Sequence, residues 1–211
     1  MSEQRDEERI TVYSDYVCPF CYLGRRSLRQ YQESREEELE VDWHPFDLRS
    51  QKRGPDGEID HSAADGKDDQ YYEQARQNVR RLRERYGVDM EQDLATDVDS
   101  LPAQIASYYV KEHYPYETWL DFDVAIFEAL WREGRDIGDE ELLAELADDA
   151  GVDGDEIRSA LDDGTLREEV NARFREAQQR GVTGVPTFAY DGYAARGAVP
   201  PEQLKRLVEG V

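Results

Sequence analysis

The sequence of 211 residues contains little cysteine, histidine and lysine, and it has no long apolar run. Two cysteines and three histidines (His44, His61 and His113) show no ligand spacing typical of a zinc site, which takes four ligands. No stretch has the length of a transmembrane helix, and the charged residues 1–8 lack the apolar segment of a secretory signal peptide. We therefore expect no metal, no other cofactor and no membrane span, and we expect the protein to be cytoplasmic.

Acidic residues outnumber basic ones by 49 to 26, which gives a formal net charge of −23. Such an excess of negative charge repels phosphate groups, so neither nucleic acid nor an anionic membrane surface is expected as a partner. The basic residues are almost all arginine, because lysine occurs only at Lys52, Lys67, Lys111 and Lys205. An acidic, lysine-poor surface of this kind resembles that of proteins adapted to molar salt.

The acidic surface predicts that stability depends on salt. We expect the melting temperature to rise steeply as KCl is raised to molar concentration, because salt screens the repulsion among the carboxylates. Thermal unfolding in dilute and in molar KCl measures this effect, and equal melting temperatures in the two solutions would contradict it.

The only two cysteines lie three residues apart in the segment Cys18-Pro19-Phe20-Cys21. A short apolar strand is predicted before this segment and a helix after it, so Cys18 falls at the N-terminus of a helix and Pro19 takes its first position. There the helix dipole and the unpaired N–H groups stabilise a thiolate. Cys21 lies one turn further along the same face, close enough to form a disulfide with Cys18. The pair is typical of thiol–disulfide exchange.

A second unusual segment is Gly-Val-Thr-Gly-Val-Pro-Thr at 181–187, where Pro186 directly precedes a predicted strand. Bonds before proline are the ones that become cis at low cost. A cis bond between Val185 and Pro186 would present the Val185 backbone to an extended substrate held as a mixed disulfide. The alternative is a trans proline that only begins a strand.

The order of the predicted elements indicates an α/β protein. Strand, helix and strand come first, then more than a hundred residues of helices, and finally a hairpin and a closing helix. Thr165 and Glu168 are interpreted as a capping box that opens the last long helix of the helical part. The predicted elements are strands at 10–14 and 39–46, a helix at 19–35, a loop at 50–68, helices at 71–86, 100–113, 119–131, 140–150, 155–162 and 165–180, a hairpin at 187–196 and a helix at 201–209.

Three segments, at 15–24, 134–139 and 181–188, resemble those of the DsbA family within the thioredoxin superfamily, and in particular its FrnE-like branch. The resemblance implies a thioredoxin-like core with a large all-helical insertion. The thioredoxin-like part would comprise residues 1–65 and 180–211, and the insertion residues 66–179.

The same resemblance implies the roles of the site residues. Cys18 would be the exposed, attacking thiol and Cys21 the buried, resolving one. Pro186 would be the cis-proline facing them, with Val185 and Thr187 beside it in contact with substrate. Strongly oxidising members of the family carry a histidine between the cysteines, whereas here the residues are Pro19 and Phe20. The Phe20 side chain donates neither a hydrogen bond nor a charge to the Cys18 thiolate, so we expect a less oxidising couple.

These features favour a thiol–disulfide oxidoreductase that reduces or isomerises disulfides of protein substrates and is served by a cellular thiol reductant. One alternative is a glutathione-type isomerase or transferase acting on small aromatic substrates, although such enzymes generally lack the second cysteine. Another is a redox-sensing or chaperone-like binding module that uses the helical block as a groove.

Overall fold

The computed structural model describes residues 8–55, 57–60, 62, 63 and 66–210, and these form one four-stranded sheet and eight α-helices. The strands are β1 (Glu8–Ser14), β2 (Leu39–Pro45), β3 (Thr187–Tyr190) and β4 (Tyr193–Arg196). The helices are α1 (Pro19–Glu33), α2 (Asp69–Tyr86), α3 (Leu101–His113), α4 (Tyr116–Trp131), α5 (Glu140–Asp149), α6 (Gly154–Asp162), α7 (Gly164–Gln179) and α8 (Pro201–Glu209). The predicted α/β class and order of elements are confirmed.

The sheet has the strand order β2-β1-β3-β4. Strand β1 runs parallel to β2 and antiparallel to β3, with Val12 opposite Phe188. Strands β3 and β4 form the predicted hairpin. Its two turn residues, Asp191 and Gly192, both have positive φ angles, of 46° and 81°, which is the conformation that a tight two-residue hairpin turn requires.

The two faces of the sheet pack against different helices. Ile10 and Val12 are fully buried and share one large hydrophobic cluster with Leu23 of α1. Tyr13 points to the opposite face, as alternation along a strand requires, and packs in a smaller cluster with Ala177 of α7. The sheet is therefore covered by α1 on one side and by α7 on the other.

The large cluster continues from the sheet into the helical part of the chain. Trp131 of α4 and Phe174 of α7 belong to the same cluster as Ile10 and Phe188 of the sheet. One hydrophobic core therefore serves both parts, and the division of the chain at residues 65 and 180 stays a prediction. None of the helices in the described part of the chain has the length and apolar composition needed to cross a bilayer.

One local prediction was wrong. Helix α7 is capped by Asp163 and not by Thr165, because the Asp163 carboxylate accepts the backbone N–H of Thr165 at 2.8 Å and so begins the helix earlier. The described residues of the segment 50–68 form the predicted loop, with a 3₁₀ turn at 50–52 and a β-bridge between Arg53 and Ile59.

Candidate active site

The two cysteines lie at the start of α1. Cys18 is the N-cap residue, with extended backbone angles, and Pro19 is the first residue of the helix. Pro19 fits there because the first helical N–H has no partner within the helix. The Cys21 N–H donates to the Cys18 carbonyl at 3.0 Å, so the helix begins directly at the dithiol segment. Both cysteines are free thiols, and they lie close enough that Cys18 contributes to raising the pKa of Cys21.

The expectation that Cys18 is exposed was wrong. Its side chain is buried, with only 3 % of the residue exposed. The physical reason is the turn before β3, which lies over the sulfur so that the Val185 carbonyl oxygen is 3.6 Å from Cys18 Sγ. Phe20 and Val185 are half-buried and pack against the same core.

Of the predicted substrate-binding residues, Val185 contacts Cys18, and Pro186 and Thr187 follow it in the same turn. The bond between Val185 and Pro186 is cis. Thr187 holds the turn closed, because its hydroxyl donates to the Gly184 carbonyl at 2.7 Å. Gly24 of α1 permits the close approach: a Cβ there would lie 3.1 Å from the Pro186 ring. A side chain at position 24 would require the rings of Pro186 and Phe188 to shift by a few tenths of an ångström.

Asp15 is a site residue that the sequence reasoning missed. It is fully buried directly after β1, and its backbone carbonyl accepts the Cys18 N–H at 3.1 Å. Its carboxylate accepts the backbone N–H groups of Val17 at 3.2 Å and Leu48 at 2.8 Å. A carboxylate between the apolar pairs at 12–13 and 16–17 is the signal that could have revealed it, because a charged side chain is rarely buried without a partner.

The environment raises the pKa values of both Asp15 and Cys21. Burial, followed by the negative charge of Asp47, raises the pKa of Asp15 to about 6. Burial, followed by the neighbouring Cys18, raises the pKa of the Cys21 thiol well above its usual range, and the charge of Asp15 adds to the effect. Cys21 is thus a thiol that needs a proton acceptor before it can attack, and Asp15 is a carboxyl that titrates near neutral pH.

Comparison with known proteins assigns the chain to a family. Residues 9–209 match the family model of the DSBA-like thioredoxin domain. The chain belongs to this family. It is 28 % identical over 205 residues to the uncharacterized protein YwbO of Bacillus subtilis, covering 94 % of both chains. The predicted membership of the DsbA family and the thioredoxin-like fold are confirmed.

Solved structures show the same fold. The probable DsbA oxidoreductase SCO1869 from Streptomyces coelicolor superimposes with a TM-score of 0.77 at 26 % identity, over 96 % of this chain and 88 % of that one. The cytosolic disulfide reductase DsbM from Pseudomonas aeruginosa, solved with GSH, superimposes with a TM-score of 0.61 at 20 % identity, over 94 % and 92 % of the two chains.

In this DsbA-like protein, buried polar contacts tie the dithiol segment to the helical part. The Tyr16 carbonyl accepts the indole N–H of Trp131 at 2.9 Å. The Tyr16 hydroxyl lies 2.9 Å from an oxygen of Asp123 and 2.7 Å from the Ser107 hydroxyl. Asp123 also forms an ion pair with Arg25 of α1. Helices α3 and α4 therefore hold the residues that precede Cys18.

A groove of about 550 Å³ begins next to the dithiol segment. It starts at Tyr22, which directly follows Cys21, and runs along α1 towards Arg29. The ring of Tyr22 stacks on that of Phe127 with centroids 5.9 Å apart, which gives the groove an aromatic end. Neither cysteine lines the groove, whose nearest residue along the chain is Tyr22.

The described histidines, His44 and His113, pack against aromatic rings. Within the part of the chain that the structure describes, no three His, Cys, Asp or Glu side chains are arranged to hold a metal ion. His44 lies at the end of β2, where its ring packs against Tyr13 with centroids 4.7 Å apart, and His113 stacks on Tyr109. His61 lies outside the described residues.

Proposed function

We propose that this DsbA-like protein is a thiol–disulfide oxidoreductase that reduces or isomerises disulfides of protein substrates in the cytoplasm. The observation that carries the proposal is the arrangement of Cys18 at the N-cap of α1, with Cys21 behind it and the Val185 carbonyl 3.6 Å from Cys18 Sγ. An attacking thiol, a resolving thiol and a turn that can bind an extended chain are the parts that this chemistry needs.

The reaction consists of two exchanges. The Cys18 thiolate attacks one sulfur of the substrate disulfide, which forms a mixed disulfide and releases the other substrate sulfur as a thiolate. The Cys21 thiolate then attacks Cys18 Sγ, which forms the Cys18–Cys21 disulfide and releases the second substrate thiolate. The substrate gains two electrons and the enzyme loses them. A cellular thiol reductant returns the enzyme to the dithiol, and the reverse sequence oxidises a dithiol substrate.

We assign to Asp15 the role of accepting the Cys21 proton. Cys21 is fully buried with a raised pKa, so its proton has to move to a nearby base before the second exchange. The carboxylate of Asp15 acts on the same thiol, and its pKa of about 6 lets it accept a proton near neutral pH. Asp15 therefore couples the resolving step to pH.

The turn before β3 would orient the substrate. A chain bonded to Cys18 Sγ passes beside the Val185 carbonyl, which accepts a backbone N–H as a neighbouring strand would. Pro186 and Thr187 shape this turn, since Pro186 packs close to α1 and Thr187 bonds to Gly184. Side chains of the substrate would then lie towards the groove at Tyr22.

The residues between the cysteines support reduction rather than strong oxidation. The side chains of Pro19 and Phe20 are apolar, so neither side chain adds a hydrogen bond or a charge that stabilises the reduced, thiolate form. The similarity in fold to a cytosolic disulfide reductase agrees with this direction and with a cytoplasmic location. Substrates containing disulfides and a low-molecular-weight or protein thiol reductant are the partners that the proposal requires.

Insulin reduction with Cys18→Ser and Cys21→Ser tests the proposal. We expect Cys18→Ser to lower the rate to that of the reductant alone, because the remaining thiol, Cys21, is fully buried and has a raised pKa. Cys21→Ser is expected to accumulate a covalent adduct with the substrate, because the mixed disulfide can no longer be resolved. Insulin reduction that persists in Cys18→Ser would contradict the proposal. Isomerase or conjugating activity with glutathione that survives Cys21→Ala would favour the glutathione-type alternative.

A further inference from the structure

We infer that Arg53 is a positioning residue for the resolving step: by neutralising Asp47, it keeps Asp15 able to accept the Cys21 proton near neutral pH. This inference rests on the proposed function. Arg53 touches neither sulfur and lies in the segment 50–68, where the sequence shows no catalytic motif. Its role follows from a chain of charged groups that leads from the dithiol to the surface.

The first link is the contact between Arg53 and two carboxylates. Arg53 Nε lies 2.7 Å from Asp47 Oδ2, and Arg53 Nη2 lies 2.8 Å from Asp99 Oδ1. The Arg53 side chain is only 10 % exposed and that of Asp47 only 3 %, so solvent screens these charges weakly. Arg53 therefore carries the positive charge that compensates the buried carboxylate of Asp47.

The second link is the proximity of Asp47 to Asp15. Asp47 directly precedes Leu48, whose N–H donates to the Asp15 carboxylate at 2.8 Å. Ser100, at the start of α3, hydrogen-bonds to Asp15, and the Val17 N–H donates to its carboxylate at 3.2 Å. The charge of Asp15 in turn acts on Cys21 of α1. The side chain of Arg49, the nearest further cation along the chain, is bound instead to the backbone carbonyls at positions 95 and 98. Asp47 is thus the negative charge that faces Asp15, and Arg53 neutralises Asp47.

The third link is the rigidity of Arg53. Its backbone bridges to Ile59, and its guanidinium donates to the Gly57 carbonyl at 3.0 Å. Asp99, its second carboxylate partner, accepts the Leu101 N–H at 2.9 Å at the start of α3. Burial opposes ionisation of Asp99, but the hydrogen bonds from Arg53 and Leu101 together lower its pKa. Arg53 is consequently held between the exit of β2 and the start of α3, with its charge fixed in place.

The resolving step can be observed alone with dithionitrobenzoate. Cys18 attacks the reagent, forms a mixed disulfide and releases one nitrothiolate. Cys21 then displaces the second nitrothiolate from Cys18 Sγ, and the rate of this second release against pH reports the deprotonation that Asp15 assists. In Arg53→Gln we expect the midpoint of that profile to rise by about one pH unit, so that the rate near pH 6 falls several-fold while the rates converge at alkaline pH.

Three further variants separate charge from structure. Arg53→Lys keeps the positive charge and is expected to keep the midpoint near that of the unmodified protein. Asp47→Asn removes the facing charge and is expected to move the midpoint down, opposite to Arg53→Gln. Arg158→Gln is the matched control, because Arg158 also joins two carboxylates, Glu141 and Asp155, but is exposed on α6. It is expected to leave the profile unchanged.

Each outcome decides the inference. Opposite shifts in Arg53→Gln and Asp47→Asn support it. An unchanged midpoint in Arg53→Gln, or shifts of the same sign in both variants, overturns it, because general loosening of the site would move both alike. If Arg53→Gln does not fold, the Asp47→Asn shift decides: a downward shift supports the inference and any other result overturns it. Absence of a second release in the unmodified protein would instead contradict the proposed function itself.

Discussion

Replacing Arg25 with methionine is expected to lower the free energy of unfolding by about 3–5 kcal/mol, the usual loss when one partner of a buried ion pair is removed. Asp123 is fully buried, and Arg25 is the cation paired with it. Without that partner, Asp123 keeps only the Tyr16 hydroxyl, which lies 2.9 Å from its carboxylate. Because this network holds the residues before Cys18, the dithiol segment loses an anchor as well. Urea unfolding at constant KCl measures the loss.

The loss of unfolding free energy in Arg25→Met should depend on pH. Burial already raises the pKa of Asp123 although Arg25 opposes it, and removal of Arg25 raises that pKa further. A carboxyl with a raised pKa in the folded state is most favourable when protonated, so its contribution to stability is lost as the pH rises. We therefore expect a larger loss near pH 8 than near pH 5.

Two variants serve as controls for Arg25→Met. Arg26→Met removes the same charge from the next position of α1, where the side chain is exposed, and should cost less than about 1 kcal/mol. Adding Asp123→Leu to Arg25→Met removes the unpaired carboxylate and should recover part of the stability. Equal losses from Arg25→Met and Arg26→Met would show that the buried pair does not anchor the dithiol segment.

Replacing Asp15 with asparagine is expected to raise the free energy of unfolding, relative to that of the unmodified protein, as the pH rises. The same change is expected to slow the resolving step. The folded state holds the Asp15 proton up to about pH 6, whereas an unfolded chain releases it near the ordinary value of an aspartate. The stability that Asp15 contributes is thus complete below about pH 4 and is lost as the pH rises through about 6. A difference of about two pKa units corresponds to about 3 kcal/mol.

Asparagine does not titrate, so the variant avoids this loss. The free energy of unfolding of the variant minus that of the unmodified protein should rise by up to about 3 kcal/mol between pH 4 and pH 7. At every pH the variant is also expected to lose about 1 kcal/mol of unfolding free energy, because one carboxylate oxygen that accepts an N–H is replaced by an amino group. Asp149→Asn, on the exposed end of α5, removes the same charge and should show no such rise.

Kinetics of the same variant connect stability with activity. In Asp15→Asn the profile of the second release rate against pH should lose its midpoint near pH 6, because the rate then depends only on deprotonation of the Cys21 thiol. The rate near neutral pH should therefore fall about ten-fold or more. The first release, which depends on Cys18, should change less. A variant that is stabilised but resolves at the normal rate would show that Asp15 is not the acceptor of the Cys21 proton.

Features set by short stretches of sequence could be predicted. The hairpin turn at Asp191 and Gly192 follows from residues that tolerate positive φ, and the end of α2 follows from Gly87, which adopts the left-handed conformation with φ 61°. The start of α1 follows from the proline after Cys18. In each case one or two residues decide the local backbone, so the neighbouring sequence is sufficient.

Features set by distant contacts could not be predicted. The burial of Cys18 depends on Val185, which is 167 residues away in the chain. The role of Asp15 depends on Leu48 and Asp47 after β2, and that of Arg53 on Asp99 before α3. The cap of α7 was also missed, because Asp163 and Thr165 are both good caps and only the geometry shows which one the helix uses.

The order of strands has a consequence for synthesis of the chain. The centre of the sheet joins residues 11–13 to residues 187–189, so β1 obtains its second neighbour only when almost the whole polypeptide has left the ribosome. Until then one edge of β1 is unpaired and Cys18 is not covered by the turn before β3. The apolar faces of the first helices are also exposed. A chain whose translation stops before the hairpin would expose the Cys18 thiol and the unpaired edge of β1, so chaperones and proteases would be expected to bind it.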